Sequence, residues 1–318
     1  MIDKLMFVQF IHPGGEHTPE SGSVWNSGRH QRKFLLSDGS YLTKLETDPK
    51  QGKILFWGEW EPPAEVTATI AQPLHKGPLT IFSPWYYTPP GGTNTDPFVF
   101  GEHFLYSCCQ QTSETALSQM SFLLPGSVIL FGSHVGGGFA LDTVFVVKHG
   151  VDYTPSNATK YFQGKVSDVF RDTVLKTFEI QTKKQGYSLS ANNKNASFVQ
   201  RLYFGATHND RDQFAGMFSY TPCIPFTPES NGFARPIIIP TGNLQQKITP
   251  KLLQGYRLND LLNDFSTTEC MSALWQEVTE QVLNAELMLG VDIQLPSLRP
   301  NNNKQDIPTV RVGGGCYR

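Results

Sequence analysis

Charge is scarce in this chain. Only 17% of its 318 residues are Asp, Glu, Lys or Arg, against about a quarter in an ordinary soluble domain, and 26 basic residues against 28 acidic ones leave a formal charge of −2. That balance excludes a basic nucleic-acid coat and makes any contact with a polyanion local. Long apolar runs are missing as well, with nothing near the ~18 residues of a membrane helix, so no membrane partner is expected. The opening MIDKLMFVQFIHPGG is apolar only from Leu5 to Ile11, broken by Gln9 and stopped at His12-Pro13. Without a basic leader or a cleavage site it reads as a strand, not a signal peptide. Cysteine is sparse and odd in number, at 108, 109, 223, 270 and 316. The adjacent Cys108-Cys109 suits neither a disulfide framework nor a paired-cysteine zinc site. A reduced, cytoplasmic protein is the expectation, with no metal ligand assigned. A Rossmann glycine pattern, a Walker phosphate loop and a Gly-x-Ser-x-Gly elbow are all absent. No cofactor enters this reading, and dinucleotide oxidoreductases, standard NTPases and esterases drop out.

What is abundant is turn formers and rings: 28 Gly, 22 Pro and 12% aromatics. Leu5–Ile11, Lys33–Leu36, Lys53–Trp57 and the alternating Glu65–Ile70 read as short strands between turns. Residues 71–102 are expected to form a long aromatic loop. Gly126–Ser133 and Phe139–Lys148 read as the arms of a buried hairpin turning at Val135-Gly136-Gly137-Gly138. Gly52–Gly58 and Gly126–Gly132 echo one another, as two related half-barrels or as chance strand chemistry. Beyond residue 150, Val166–Leu175 is expected to be a short helix. Thr177–Thr182, Tyr187–Ala191, Phe198–Thr207, Phe214–Tyr220 and Ile237–Ile239 are expected to be strands. Leu274, Val278, Val282 and Leu287 recur at helical spacing, predicting an amphipathic helix over Met271–Leu289 that ends at Gly290, with N-cap choices at Ser266–Glu269. The tail from Pro296 reads as irregular. The fold class is therefore α+β and predominantly β. Residues 1–150 form a β-rich part carrying the candidate site, and 151–318 a second β-rich part with a C-terminal helix, packed as one domain or two.

Seven of the eight histidines and four of the five tryptophans precede residue 150, so a functional cleft is placed there. In His12-Pro13-Gly14-Gly15-Glu16-His17, Gly14 and Gly15 let the backbone approach a phosphate or carboxylate, while Glu16 and His17 supply proton transfer. A polar turn after a strand is the plain alternative. In Phe56-Trp57-Gly58-Glu59-Trp60-Glu61-Pro62, two carboxylates alternate with two indoles. An indole stacks on a base, and by excluding water it raises a neighbouring carboxyl toward the acid-base range. Glu59 is the favoured proton-transfer group and Glu61 its companion; tryptophans turned into a core, with a solvated strand edge, would look the same. The stretch from Asn94 to His103 adds Asp96 and His103, although Asp96 before Pro97 also suits an ordinary turn. Arg29, His30, Arg32 and Lys33, with Trp25 nearby, offer either a phosphate-binding cluster or a solvated turn. Asp142, inside the apolar run Phe139–Val147, needs a partner, as a structural acceptor or beside Glu59.

The grammar of a turn glycine, an apolar strand ending in Trp or Phe and a return strand, over about residues 5–70 and 126–148, resembles PUA-like small barrels of the ASCH, EVE and YTH kind. The resemblance implies binding of RNA or a modified base in an aromatic pocket; no cage residue is carried over. The HPGGEH and FWGEWEP stretches are also similar to those of uncharacterised prokaryotic proteins, a likeness that supplies no activity.

These observations lead to a nucleotide or nucleic-acid base-processing enzyme acting by hydrolysis or group transfer at a glycosidic or phosphoester bond. Trp25, Trp57 and Trp60 would stack a single-stranded or flipped base, and Gly14, Gly15, Arg32 and Lys33 would hold phosphate. Glu59, His17, Glu16, Glu61, Asp96 and His103 would supply protons. A non-catalytic module reading a modified base or signalling nucleotide, and a protein-interaction subunit with an aromatic surface at 82–100, are the alternatives.

Overall fold

A computed structural model describes residues 3–12, 15–17, 31–70, 79–88, 93–111, 117–185, 199–261 and 267–300. Its strands in the first part of the chain are β1 (Met6–Ile11), β2 (Arg32–Leu42), β3 (Lys50–Glu59), β4 (Ala64–Ile70), β5 (Leu79–Tyr86), β6 (Leu105–Tyr106), β7 (Val128–Val135) and β8 (Gly138–Tyr153). After a helical stretch over 168–185 come β9 (Gln200–Gly205), β10 (Thr221–Pro225), β11 (Ile237–Ile238) and β12 (Gly255–Asp260). The helix Thr267–Asn284 then leads to β13 (Met288–Ile293) and β14 (Ser297–Leu298).

The strands form two sheets. One is mixed, in the order β12-β1-β7-β8-β9-β6 with β11 beside β8, and its β1 and β7 run parallel. The other runs β13-β10-β3-β2-β5-β14 with β4 beside β5. Within it β13 also pairs antiparallel with β2, so β2, β3, β10 and β13 close into a small antiparallel barrel. Both sheets draw strands from either side of residue 150.

The alternation of β1 explains how the layers stack. Met6, Val8 and Phe10 share a buried cluster with Leu35, Ile54 and Phe56 of the barrel strands. Phe7 and Ile11, on the opposite face, pack with Val128 and Leu130 and with Met271, Leu274, Trp275, Val278 and Val282 of the long helix. The helix thus covers one side of the mixed sheet and barrel strands contribute to the other. Trp275 reinforces this by donating from Nε1 to Phe218 O at 3.1 Å. The β7–β8 hairpin turns at Gly136 and Gly137, whose φ values of 58° and 82° fit a primed two-residue turn.

Several local expectations need correction. The loop foreseen over 71–102 contains strand β5, which pairs with both β2 and β4. Pro84 disguised it, sitting near the end of the strand where the missing N–H costs little. Thr177–Thr182 is helical, within Lys176–Gln185. Its short period-two pattern imitates a strand, but Val174, Leu175 and Phe178 are buried at helical spacing. Phe214 closes a 3-10 turn, and the strand begins only at Thr221. The long helix stops at Asn284, Glu286 turns the chain at φ 60°, and Gly290 lies inside β13. The two echoing segments fall in different sheets. The expected strand Tyr187–Ala191 and Ser266 lie outside the described residues.

Candidate functional site

Charge that is scarce along the chain is concentrated where the barrel meets the mixed sheet. Arg32 opens β2 and Glu59 closes β3, and the register sets the two opposite each other. His12 follows β1, its N–H donating to Gly132 O at 2.9 Å. Asp142 comes from β8, and Arg235 from the segment before β11. His12 Nδ1 lies 2.7 Å from Glu59 Oε2, and Arg32 Nη1 donates to the same oxygen at 3.2 Å. Arg32 Nε donates to Asp142 Oδ2 at 2.6 Å, while Arg235 Nη1 donates to Asp142 Oδ1 at 3.0 Å and to Ser133 Oγ. The five side chains are between 2% and 4% exposed. Glu16, 24% exposed, forms the wetter edge, with Oε1 3.5 Å from Arg235 Nε.

Burying so many charges is costly unless each finds an opposite, and the electrostatics follow that requirement. Burial works against the Arg32 guanidinium, but Asp142 and Glu59 more than compensate, with a smaller contribution from Cys109, and it is held charged. Glu59 receives Arg32 and meets His12 on one oxygen, contacts that complement an ionised carboxylate. The water-excluding indoles adjoin Glu59 in sequence, whereas these partners arrive from the start of β2 and from just beyond β1. Lys33 lacks an adjoining carboxylate of this kind. Its Nζ donates to Trp60 O and, at 3.3 Å, to Pro62 O. Burial pushes its amine down to about 7 against the pull of Glu61 and Glu59.

A second buried polar group lies next in sequence and space. Glu61 Oε2 accepts from Asn94 N at 2.6 Å, and Glu61 N donates to Thr95 Oγ1 at 3.2 Å. Asp96 accepts backbone N–H bonds from Ser107, Cys108 and Cys109 at 2.8, 3.0 and 2.8 Å, fixing the turn that carries the two thiols. Asn94 Nδ2 reaches Cys108 Sγ at 3.2 Å, and the two sulfurs are 4.0 Å apart. Donor atoms of Asp96, Cys108 and Cys109 lie within 4.8 Å of one another, close enough for a metal ion. The amide contacts to both Asp96 oxygens give that carboxylate an architectural task as well.

The remaining candidate residues are dispersed. His17 places Nδ1 2.8 Å from Gln31 Oε1 and its ring against Phe82. His103 faces Gly205 O at 3.3 Å and the ring of Phe204. Trp57 is buried against Phe34, donates to Phe233 O at 2.8 Å, and has Arg235 5.8 Å from its ring centre. Trp60 is fully buried against Phe98 and Phe100 and donates to Pro63 O. In the 82–100 stretch, Phe82, Tyr86, Tyr87, Phe98 and Phe100 are buried. Gly15 is exposed beside Glu16. Trp25 and Gly14, with Arg29 and His30, lie outside the described residues.

The structure therefore brings together Glu59, Arg32 and Glu16 with His12, Asp142, Ser133 and Arg235. His12 was visible inside its glycine-rich motif and Asp142 as an acid in an apolar run. Arg235, a single charge in Phe233-Ala234-Arg235-Pro236, carried no sequence signal. No protein-family model, curated protein or solved structure matches this chain.

Proposed function

We propose that this protein is a nucleotide or nucleic-acid base-processing enzyme, acting by hydrolysis or group transfer at a glycosidic or phosphoester bond. The observation that carries the reading is the buried His12–Glu59 pair, clamped by Arg32. A carboxylate on Nδ1 fixes the orientation and tautomer of the imidazole, so proton exchange with a substrate runs through Nε2. Glu59 then acts with His12 as one proton-transfer unit. The closed four-strand barrel is compatible with a PUA-like module, which supports a base as the recognised group. Because Trp57 and Trp60 are covered in this structure, base stacking on them would require the neighbouring segment to move.

The test is a thermal-shift panel of nucleosides, nucleotides and short single strands, followed by a search for base or phosphate release from those that bind. A ligand at ~100 times its dissociation constant adds about 2.7 kcal/mol of stability. A flat panel would sink the proposal. The second reading is a binding module without turnover. It is favoured by how fully Glu59 and Asp142 are occupied in ion pairs, and it predicts shifts with no product.

A further inference from the structure

Arg235 is an unusual arginine. Its side chain is 2% exposed, and one edge is fully employed, Nη1 donating to Asp142 and Ser133. The other edge is not: Nε and Nη2 are both buried and make no hydrogen bond among the described residues. The adjacent carboxylate, Glu16, is ion-paired with Nε at 3.5 Å without a hydrogen bond. A guanidinium presents Nε–H and Nη2–H side by side, at the spacing of two oxygens on one phosphorus or carboxyl carbon. A charged donor left unsatisfied in the interior costs about 1–3 kcal/mol or more, and here two such donors share one edge.

The surroundings suit an anion. Asp142 lies between two guanidinia, accepting from Arg32 and Arg235, with Glu59 on Arg32 and Glu16 on Arg235, so an incoming anion is taken up by displacing Glu16. Glu16 is the partly exposed acid at the rim, and a Cβ added at the preceding Gly15 would meet nothing within 4 Å. Glu16, 24% exposed, is a side chain able to withdraw toward solvent.

We propose that the Nε–Nη2 edge of Arg235 is a fork for one phosphate group of a nucleotide, with Glu16 the internal anion that gives way to it. This rests on the nucleotide reading above and names the group that anchors such a substrate. The fork provides orientation; it takes no part in bond making or breaking.

The experiment is calorimetric titration of the full chain with three probes: the 5′-mononucleotides, the matching nucleosides, and inorganic phosphate. Mononucleotides are expected to bind at least about ten-fold more tightly than nucleosides, because two charge-assisted hydrogen bonds depend on the phosphate. Inorganic phosphate should compete. Arg235→Lys keeps the charge and loses the fork, so mononucleotide affinity should fall by about ten-fold or more while nucleoside affinity stays. Glu16→Gln, at a partly exposed position, should tighten mononucleotide binding several-fold; it serves if the lysine variant does not fold. Wild-type affinity in Arg235→Lys, or unchanged affinity in Glu16→Gln, overturns the proposal. Equal binding of nucleosides and mononucleotides also overturns it and leaves the base-processing reading standing. Fork-dependent binding of phosphate with no turnover of any probe retains the fork and removes the enzyme.

Discussion

Arg32 Nε stands 2.6 Å from Asp142 Oδ2, and this contact ties a barrel strand to the mixed sheet where neither side chain reaches water. Removing one partner leaves a buried charge with a weakened complement. Asp142→Ala is expected to cost about 3–5 kcal/mol, read as a lower urea midpoint. Replacing the set together, Arg32→Met with Asp142→Leu, Arg235→Met and Glu59→Gln so that no buried carboxylate is left without its arginine, should recover much of that loss. A midpoint unmoved by Asp142→Ala would show that the contact does not hold the sheets.

Glu59→Gln keeps the shape and hydrogen-bonding capacity of the side chain and removes its charge from His12. Turnover should drop by roughly 100-fold or more, with ligand affinity changed only a few-fold. His12→Asn should give a similar loss, and the double variant little beyond either, because the two act as a unit. Additive losses in the double variant would separate their roles.

Lys33 links stability to pH. Its amine titrates at about 7 in the folded chain, whereas an unfolded lysine titrates near ~10.4. Between those values the unfolded chain holds a proton that the folded chain has released, so the unfolding free energy rises with pH. Below about 7 both states are protonated and the contribution is flat at its least favourable. The rise amounts to a few kcal/mol, on the order of 1.4 kcal/mol for each unit of separation. Lys33→Met loses two hydrogen bonds at every pH but should abolish the Lys33 part of the slope in urea titrations between roughly pH 7 and 10. A slope of the same size in that variant would assign it elsewhere.

Two glycines separate space from conformation. A Cβ on Gly132 would sit 2.2 Å from Ala140 O and 2.6 Å from the Phe139 ring, at the bulge between β7 and β8, so Gly132→Ala should cost about 1–3 kcal/mol. Gly136→Ala meets nothing but must adopt φ 58°, at about 1 kcal/mol. Reversal of that order in thermal melts would mean that the hairpin relaxes more readily than its packing indicates.

Binding to single-stranded nucleic acid, where it occurs, should be weakly salt dependent. With a net charge of −2 and one phosphate fork, the slope of log affinity against log salt should be about −1. A slope of several units would point to an extended basic track.

Local periodicity made much of this architecture legible. The hairpin turn at Gly136-Gly137, the apolar β1 and the helix face of Leu274, Val278 and Val282 follow from side-chain spacing alone, and packing adds Met271 and Trp275 to that face. The barrel closure did not, because β13 meets β2 through pairings distant in sequence, and Gly290 reads as a helix terminator until a strand partner for it is known. The site divides in the same way. Glu59 and Arg32 attract notice as polar groups beside rings, but the second carboxylate on Arg32 arrives from β8, and the other arginine on that carboxylate from a loop nearly a hundred residues later. Trp57 and Trp60 are buried, and a ring suited to a ligand is also a ring that fills a core, so their sequence context fits either role.

The pairing of Leu289 with Leu42 has a consequence during synthesis. While the chain leaves the ribosome, β5 can join β2 early at Phe34 and Leu35, but the β3 edge must wait for β10 and the Gly39–Leu42 end of β2 for β13. Open edges of this kind recruit strands from other chains, and pairings so distant in sequence form slowly. Closure of the barrel by β13 therefore comes late in synthesis, and until then the unpaired stretches of β2 and β3 carry the risk of pairing with other chains.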